Sequence, residues 1–180
     1  MDVREFREVL HEDIALAAST NITNVEEEFL SYVTNILISA DEFDDFIECY
    51  YNGVSKRRAN MRIDGYAMDE TDGSCCVFIS NYHGPHEEEA IRGEDITSSF
   101  KKIRYFVEEA VKDDLYKEIE ESTQAYEFAR ILHDNINTIT KFRFYLLTDA
   151  FNKQRAKNIK DEELYGKKVE LHVWDIARLF

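Results

Sequence analysis

A carboxylate inside a strand-like run is the first group in this chain whose position asks for a chemical reason. Asp64 stands in Arg62-Ile63-Asp64-Gly65-Tyr66, where β propensity disfavours an acid. Such a residue is either a metal ligand or a hydrogen-bonded or ion-paired strand acid, with Arg62 and Lys56 as the nearest cations in sequence. Two more groups could share a site with it. Asn81, in Ile79-Ser80-Asn81, can supply an amide oxygen or a hydrogen bond. Glu26 projects beside the helical stripe Val25, Phe29 and Val33, whereas Glu27 projects nearly opposite and suits a capping arrangement with Asn24. For Glu26 the plain alternative to metal binding is favourable placement at a helix N-terminus.

The basic cluster Lys56, Arg57, Arg58 and Arg62 precedes the candidate acid and could contact phosphates; surface charge balance in an acidic chain is the simpler reading. Lys153, Arg155, Lys157 and Lys160 form a second basic set with the same two readings. Asp69, Glu70 and Asp72 crowd a turn but lack the twelve-residue ligand pattern of a calcium loop. His83 and His86 have no further ligand at zinc spacing. Cys75 and Cys76 read as core filling, and the odd total of three cysteines suits a reducing cytosol. No Ser-His-Asp arrangement or phosphate-binding glycine loop is present.

The elements that must position these groups follow from periodicity. Asp2 and Glu5 cap a helix carrying Val3, Phe6, Leu10 and Ile14 to about Ala18, and Asn24 caps a second helix that fades near Asp41. Residues 41–60 read as a short helix and a loop. Met61 to Met68 and Ser74 to Tyr82 read as strands of a hairpin turned by Asp72-Gly73. If that dipeptide makes a two-residue turn, Asp64 falls opposite Asn81 on one sheet face. Helical patterns follow through Ile96 to Val111 and Tyr126 to Leu132, then strands at Phe142 to Leu147 and Val169 to Trp174 separated by a basic loop. A strand joined through helices to a later strand predicts an α/β domain, a mixed β-sheet flanked by helices. At 180 residues one domain is expected, with no apolar run of membrane-spanning length and no secretory leader, hence a cytoplasmic protein.

Arg62 to Tyr66, Val77-Phe78-Ile79-Ser80-Asn81-Tyr82, Phe142 to Asp149 and Val169 to Phe180 together resemble the amino-terminal domain of the abortive-infection phage-resistance family. The resemblance spans nearly the whole chain. It implies a restriction-endonuclease-like core, a longer protein whose carboxy-terminal region is a partner of this domain, and Mg²⁺ as cofactor with Asp64 as its ligand. Nuclease members of that fold carry an acid on the first hairpin strand and Glu/Gln-x-Lys on the second; Asp64 matches the acid, but Ile79-Ser80-Asn81 lacks both the second ligand and the lysine. Isoleucine cannot bind a metal, and a neutral amide cannot replace a cation at a phosphate. The expected function is therefore a phage-defence domain of nuclease ancestry with a degenerate motif, used for binding or regulation. The alternatives are an active metal-dependent nuclease rearranged around Asp64, Asn81 and Glu26, and a protein-interaction module.

The formal net charge of −15 opposes phosphate approach at long range. Titration of duplex DNA at low salt is expected to show little affinity; tight, salt-sensitive binding would mean that a local basic patch dominates the field.

Overall fold

The computed structural model describes residues 1–86, 90–154 and 160–180. Two helices open the chain, α1 (Val3–Asn21) and α2 (Val25–Ser39). Asp2 begins the first with a full capping box, its carboxylate taking the Arg4 and Glu5 amides while Glu5 reaches back to the Asp2 amide. Asn24 begins the second by accepting from the Glu27 amide at 2.8 Å.

Then come β1 (Ile47–Val54), β2 (Asn60–Met68) and β3 (Cys75–Asn81), followed by α3 (Gly93–Lys112) and α4 (Gln124–Asn135). The chain closes with β4 (Phe142–Thr148), β5 (Glu162–Leu164), β6 (Lys167–Trp174) and a last turn of helix, α5 (Ile176–Leu179). The strands form one six-stranded mixed sheet in the order β1-β2-β3-β4-β6-β5. β1, β2 and β3 pair antiparallel, β3 pairs parallel with β4 and β4 with β6. Parallel pairing of β3 with β4 needs a long crossover, which α3 and α4 supply.

Helices cover both faces of the sheet, so β3 and β4 are apolar on both sides. On the α3/α4 side Val77, Ile79, Phe144 and Leu146 pack with Phe100, Phe106, Phe128 and Leu132. On the α1/α2 side Phe78, Tyr145 and Leu147 pack with Leu10, Ile14, Phe29 and Val33. No helix among the described residues is long and apolar enough to cross a membrane.

Three expectations are corrected. Residues 47–54 form a strand, not a helix and loop: Ile47, Cys49 and Tyr51 alternate toward the core while Glu48 and Tyr50 face outward, a pattern masked by aromatics on both faces. The loop expected between β4 and β6 contains β5, and its residues 155–159, with Arg155 and Lys157, lie outside the described residues.

The hairpin exists, but its connection is longer than a two-residue turn. The Asp69 amide donates to the Ser74 carbonyl at 2.9 Å and the Gly73 amide to the Asp69 carbonyl at 2.8 Å, leaving Glu70 to Gly73 as the loop. Asp72 is not free to serve as a simple turn residue. Its carboxylate takes the Ser74 amide and, at 2.6 Å, a guanidinium nitrogen of Arg143. The register is set accordingly, with Gly65 opposite Phe78 and Met68 opposite Cys75. Asp64 therefore does not pair with Asn81.

α1 is fastened to the sheet by a buried polar contact. Asp149, just past β4 and fully buried, accepts from the His83 amide at 2.7 Å and the Gly84 amide at 2.9 Å. Arg7 donates to the Asp149 carbonyl at 2.7 Å and to the Gly84 carbonyl at 2.9 Å. His11 places Nε2 3.3 Å from the Asp149 carboxylate, too poorly aligned for a hydrogen bond, and Nδ1 3.1 Å from the Tyr82 hydroxyl. Burial pushes the His11 imidazole below its ordinary value of 6.5; Asp149 opposes that shift and Arg7 adds to it.

A histidine with a lowered folded pKa contributes stability above its unfolded value that is lost as pH falls, because the unfolded chain takes up a proton that the folded one resists. Urea midpoints are expected to fall as pH drops below about 6.5, and more shallowly in His11→Gln. Equal pH slopes for the two proteins would contradict this.

Candidate functional site

β2 departs from regular alternation at the acid. Ile63 and Tyr66, three residues apart, both pack on the α3/α4 side, and Gly65 pairs with Phe78, which packs on the other side. Asp64 and Gly65 thus both turn toward α2. The cause lies in the neighbouring strand: Glu48 pairs with Gly65 and Tyr51 with Ile63, so Cys49 and Tyr50 together stand against Asp64. Glycine is required beside it, since a Cβ at Gly65 would run into the Phe46 ring and lie 2.9 Å from the Ile47 carbonyl oxygen.

Turned this way, the Asp64 carboxylate replaces a backbone acceptor in the sheet. The Ser80 amide donates to Oδ2 at 2.7 Å and the Ser80 hydroxyl lies 3.3 Å from the same oxygen. Arg62 brings Nη2 to 3.2 Å from Oδ1 and 3.0 Å from Oδ2. Asp64 is 5 % exposed, so these donors substitute for lost water. Of the two sequence readings of Asp64, hydrogen-bonded and ion-paired strand acid describes its contacts.

A cavity of about 490 Å³ opens above this clasp, between α2 and the β1–β3 hairpins. Glu26, Glu27, Glu48, Arg62, Asp64 and Asn81 all line it. Glu26 and Asn81 therefore border the same cavity as Asp64 without a hydrogen bond to it, and Glu27 faces the same space despite its opposite helical angle. Ser80 shares Asp64's face through its hydroxyl contact, while Ile79 is buried in the α3/α4 core. Strand alternation sets Asn81 with Ile79, and the Asn81 amide oxygen is taken up by His83 Nε2 at 2.6 Å.

The remaining basic candidates lie elsewhere. The turn after β1 carries Lys56, Arg57 and Arg58 to α3, where the Lys56 amide donates to Glu109 at 3.0 Å and Lys56 Nζ to the Asp113 carbonyl at 3.3 Å. Arg57 lines a separate recess with Tyr105 and Glu108, and Arg58 occupies the left-handed region of the turn, φ 60°. Only Arg62 of the four reaches the cavity, and its Nη2 is engaged by Asp64.

The donor set does not suit Mg²⁺. A guanidinium already contacts both oxygens of Asp64, the position of the second ligand holds buried Ile79, and no three His, Cys, Asp or Glu side chains among the described residues are placed to hold a metal ion. Electrostatically the cavity is dominated by carboxylates. Burial pushes the Glu48 carboxyl above its ordinary value, and the nearby Glu27, Asp64 and Glu28 charges push it further.

Sequence reasoning does not single out Glu48, Ser80 or the Arg7/His11/Asp149 contact. Ser80 sits in an apolar strand with nothing to mark it, and Glu48 was hidden with β1. The four-residue spacing of Arg7 and His11 on one helix face was a readable signal.

No curated protein and no solved structure matches the chain. The family model of the abortive infection phage resistance protein N-terminal domain matches residues 29–180, from the second turn of α2 onward. The chain belongs to the abortive infection phage resistance N-terminal domain family, and that membership implies a part in phage defence.

Proposed function

We propose that this is a restriction-endonuclease-like domain of nuclease ancestry whose catalytic motif has decayed, and that it serves binding or regulation within a longer phage-defence protein. The element order supports the fold reading: three antiparallel strands, a helical crossover and a parallel fourth strand, with the acid on the second strand. The observation that carries the functional reading is the Arg62–Asp64–Ser80 clasp. A cation and two strand groups hold the acid where a nuclease would need it open to metal and water. Asn81 supplies no positive charge, and the nearest cation is spent on Asp64.

An active nuclease with a rearranged site is the second reading, favoured by one fact: Asp64, Glu26 and Asn81 line a common cavity. Chemistry there would need Arg62 to release Asp64 first.

The two readings separate in a cleavage assay with Mg²⁺ or Mn²⁺ on single- and double-stranded DNA and RNA, using the whole protein. The expected outcome is no cleavage above the metal-only control, with Asp64→Ala indistinguishable from the unaltered protein. Robust cleavage that Asp64→Ala abolishes would overturn the decayed-motif reading.

A further inference from the structure

Among the described residues, no strand lies against the outer side of β1. β2 pairs with its inner side, and no backbone hydrogen bond among the described residues reaches its other edge. Such an edge offers a row of amide and carbonyl groups to any extended chain. Two large side chains stand exposed along it, Tyr50 at 62 % and Val54 at 61 %. Glu48 and Tyr50 also line the cavity, whose opposite wall carries Glu26 and Glu27 from α2. Among the described residues none of these three glutamates has an ion-pair partner, since the cavity's one cation, Arg62, is bound to Asp64. An incoming strand would place alternate side chains beside Glu48 and Tyr50, about 4.5–5.5 Å away between Cβ atoms.

We propose that the free edge of β1 takes up an extended basic segment of a partner protein as an added strand, setting a lysine or arginine side chain against Glu48 in the cavity between β1 and α2. Charge selects this occupant over others. A second copy of the chain brings the same acids and the same net charge of −15, and nucleic acid brings phosphates. A cationic side chain meets carboxylates that lack a counter-ion and a tyrosine face that attracts cations. Burial raises Glu48's pKa and neighbouring carboxylates raise it further, and the same charge offsets that second contribution. The register break at Cys49 and Tyr50 disfavours indiscriminate flat pairing along the edge, which leaves the charged contact to choose the partner. Backbone pairing then supplies affinity and the cavity supplies specificity.

The test uses the full chain and three probes: a short peptide alternating Lys and Thr, the same peptide with Glu for Lys, and the Lys peptide N-methylated at every other residue to block strand pairing. Binding is read by fluorescence anisotropy and by amide hydrogen exchange across residues 47–54. The Lys peptide is expected to bind and slow exchange in β1, and the Glu peptide not to bind. N-methylation of the peptide, or Glu48→Lys in a protein with unchanged circular dichroism, is expected to weaken binding about tenfold or more. Binding without protection of β1, or binding indifferent to N-methylation, would reduce the effect to general electrostatic attraction and overturn the proposal. So would no binding at all, or a peptide-free dimer that already protects β1. None of these readouts involves metal or cleavage, so the outcome stands apart from the nuclease assay.

Discussion

The carboxylate of Asp64 does in this sheet what a backbone carbonyl does elsewhere: it accepts the amide of the neighbouring strand. A charged acceptor in a buried position is costly unless it is paired and hydrogen-bonded. Arg62, through Nη2, and Ser80 meet that requirement from within the same hairpin, while Arg62 Nε stays buried without a hydrogen-bond partner. Three features accompany this arrangement. β2 must break its alternation to aim the acid toward α2, Gly65 must lack a side chain to let the break fit under Phe46, and β1 must carry an extra residue opposite it. The cavity above is the space left where β2 and β3 are joined through a side chain.

The same logic recurs at the far end of β4. Asp149 is buried and neutralised by Arg7, with the His83 and Gly84 amides as further donors. There the acid fixes a helix that precedes the family-matched segment to the sheet within it. His11 and Tyr82 extend that contact to the cavity wall, because Tyr82 touches His11 on one side and lines the acidic space on the other. The two buried acids thus bound one region of the molecule, and between them Glu26, Glu27 and Glu48 have no ion-pair partner among the described residues.

Much of the architecture was legible in the sequence. Both N-terminal helices could be read from their caps and stripes, the hairpin from its two apolar runs, and the crossover from the period of Ile96 to Val111. What could not be read depended on tertiary partners. Asp72-Gly73 looks like a two-residue turn, but Arg143 on β4 and the Thr140 hydroxyl engage Asp72, and the connection lengthens. That moved the register and separated Asp64 from Asn81. β1 was hidden because an edge strand with one buried face needs few apolar residues, and its aromatics fall on both faces. The site was half legible: Asp64, Asn81, Glu26 and Arg62 do surround one cavity, while Ser80, the residue that gives Asp64 its structural meaning, carries no sequence signal.

Asp64 clasps β2 to β3, with Arg62 as its counter-ion. A double-mutant cycle with Arg62→Met and Asp64→Asn, followed by urea unfolding at neutral pH, measures that coupling directly. A favourable interaction on the order of 1 kcal/mol is expected, reduced from the buried-pair range by the partial exposure of Arg62. Additivity of the two single substitutions to within about 0.3 kcal/mol would contradict the account.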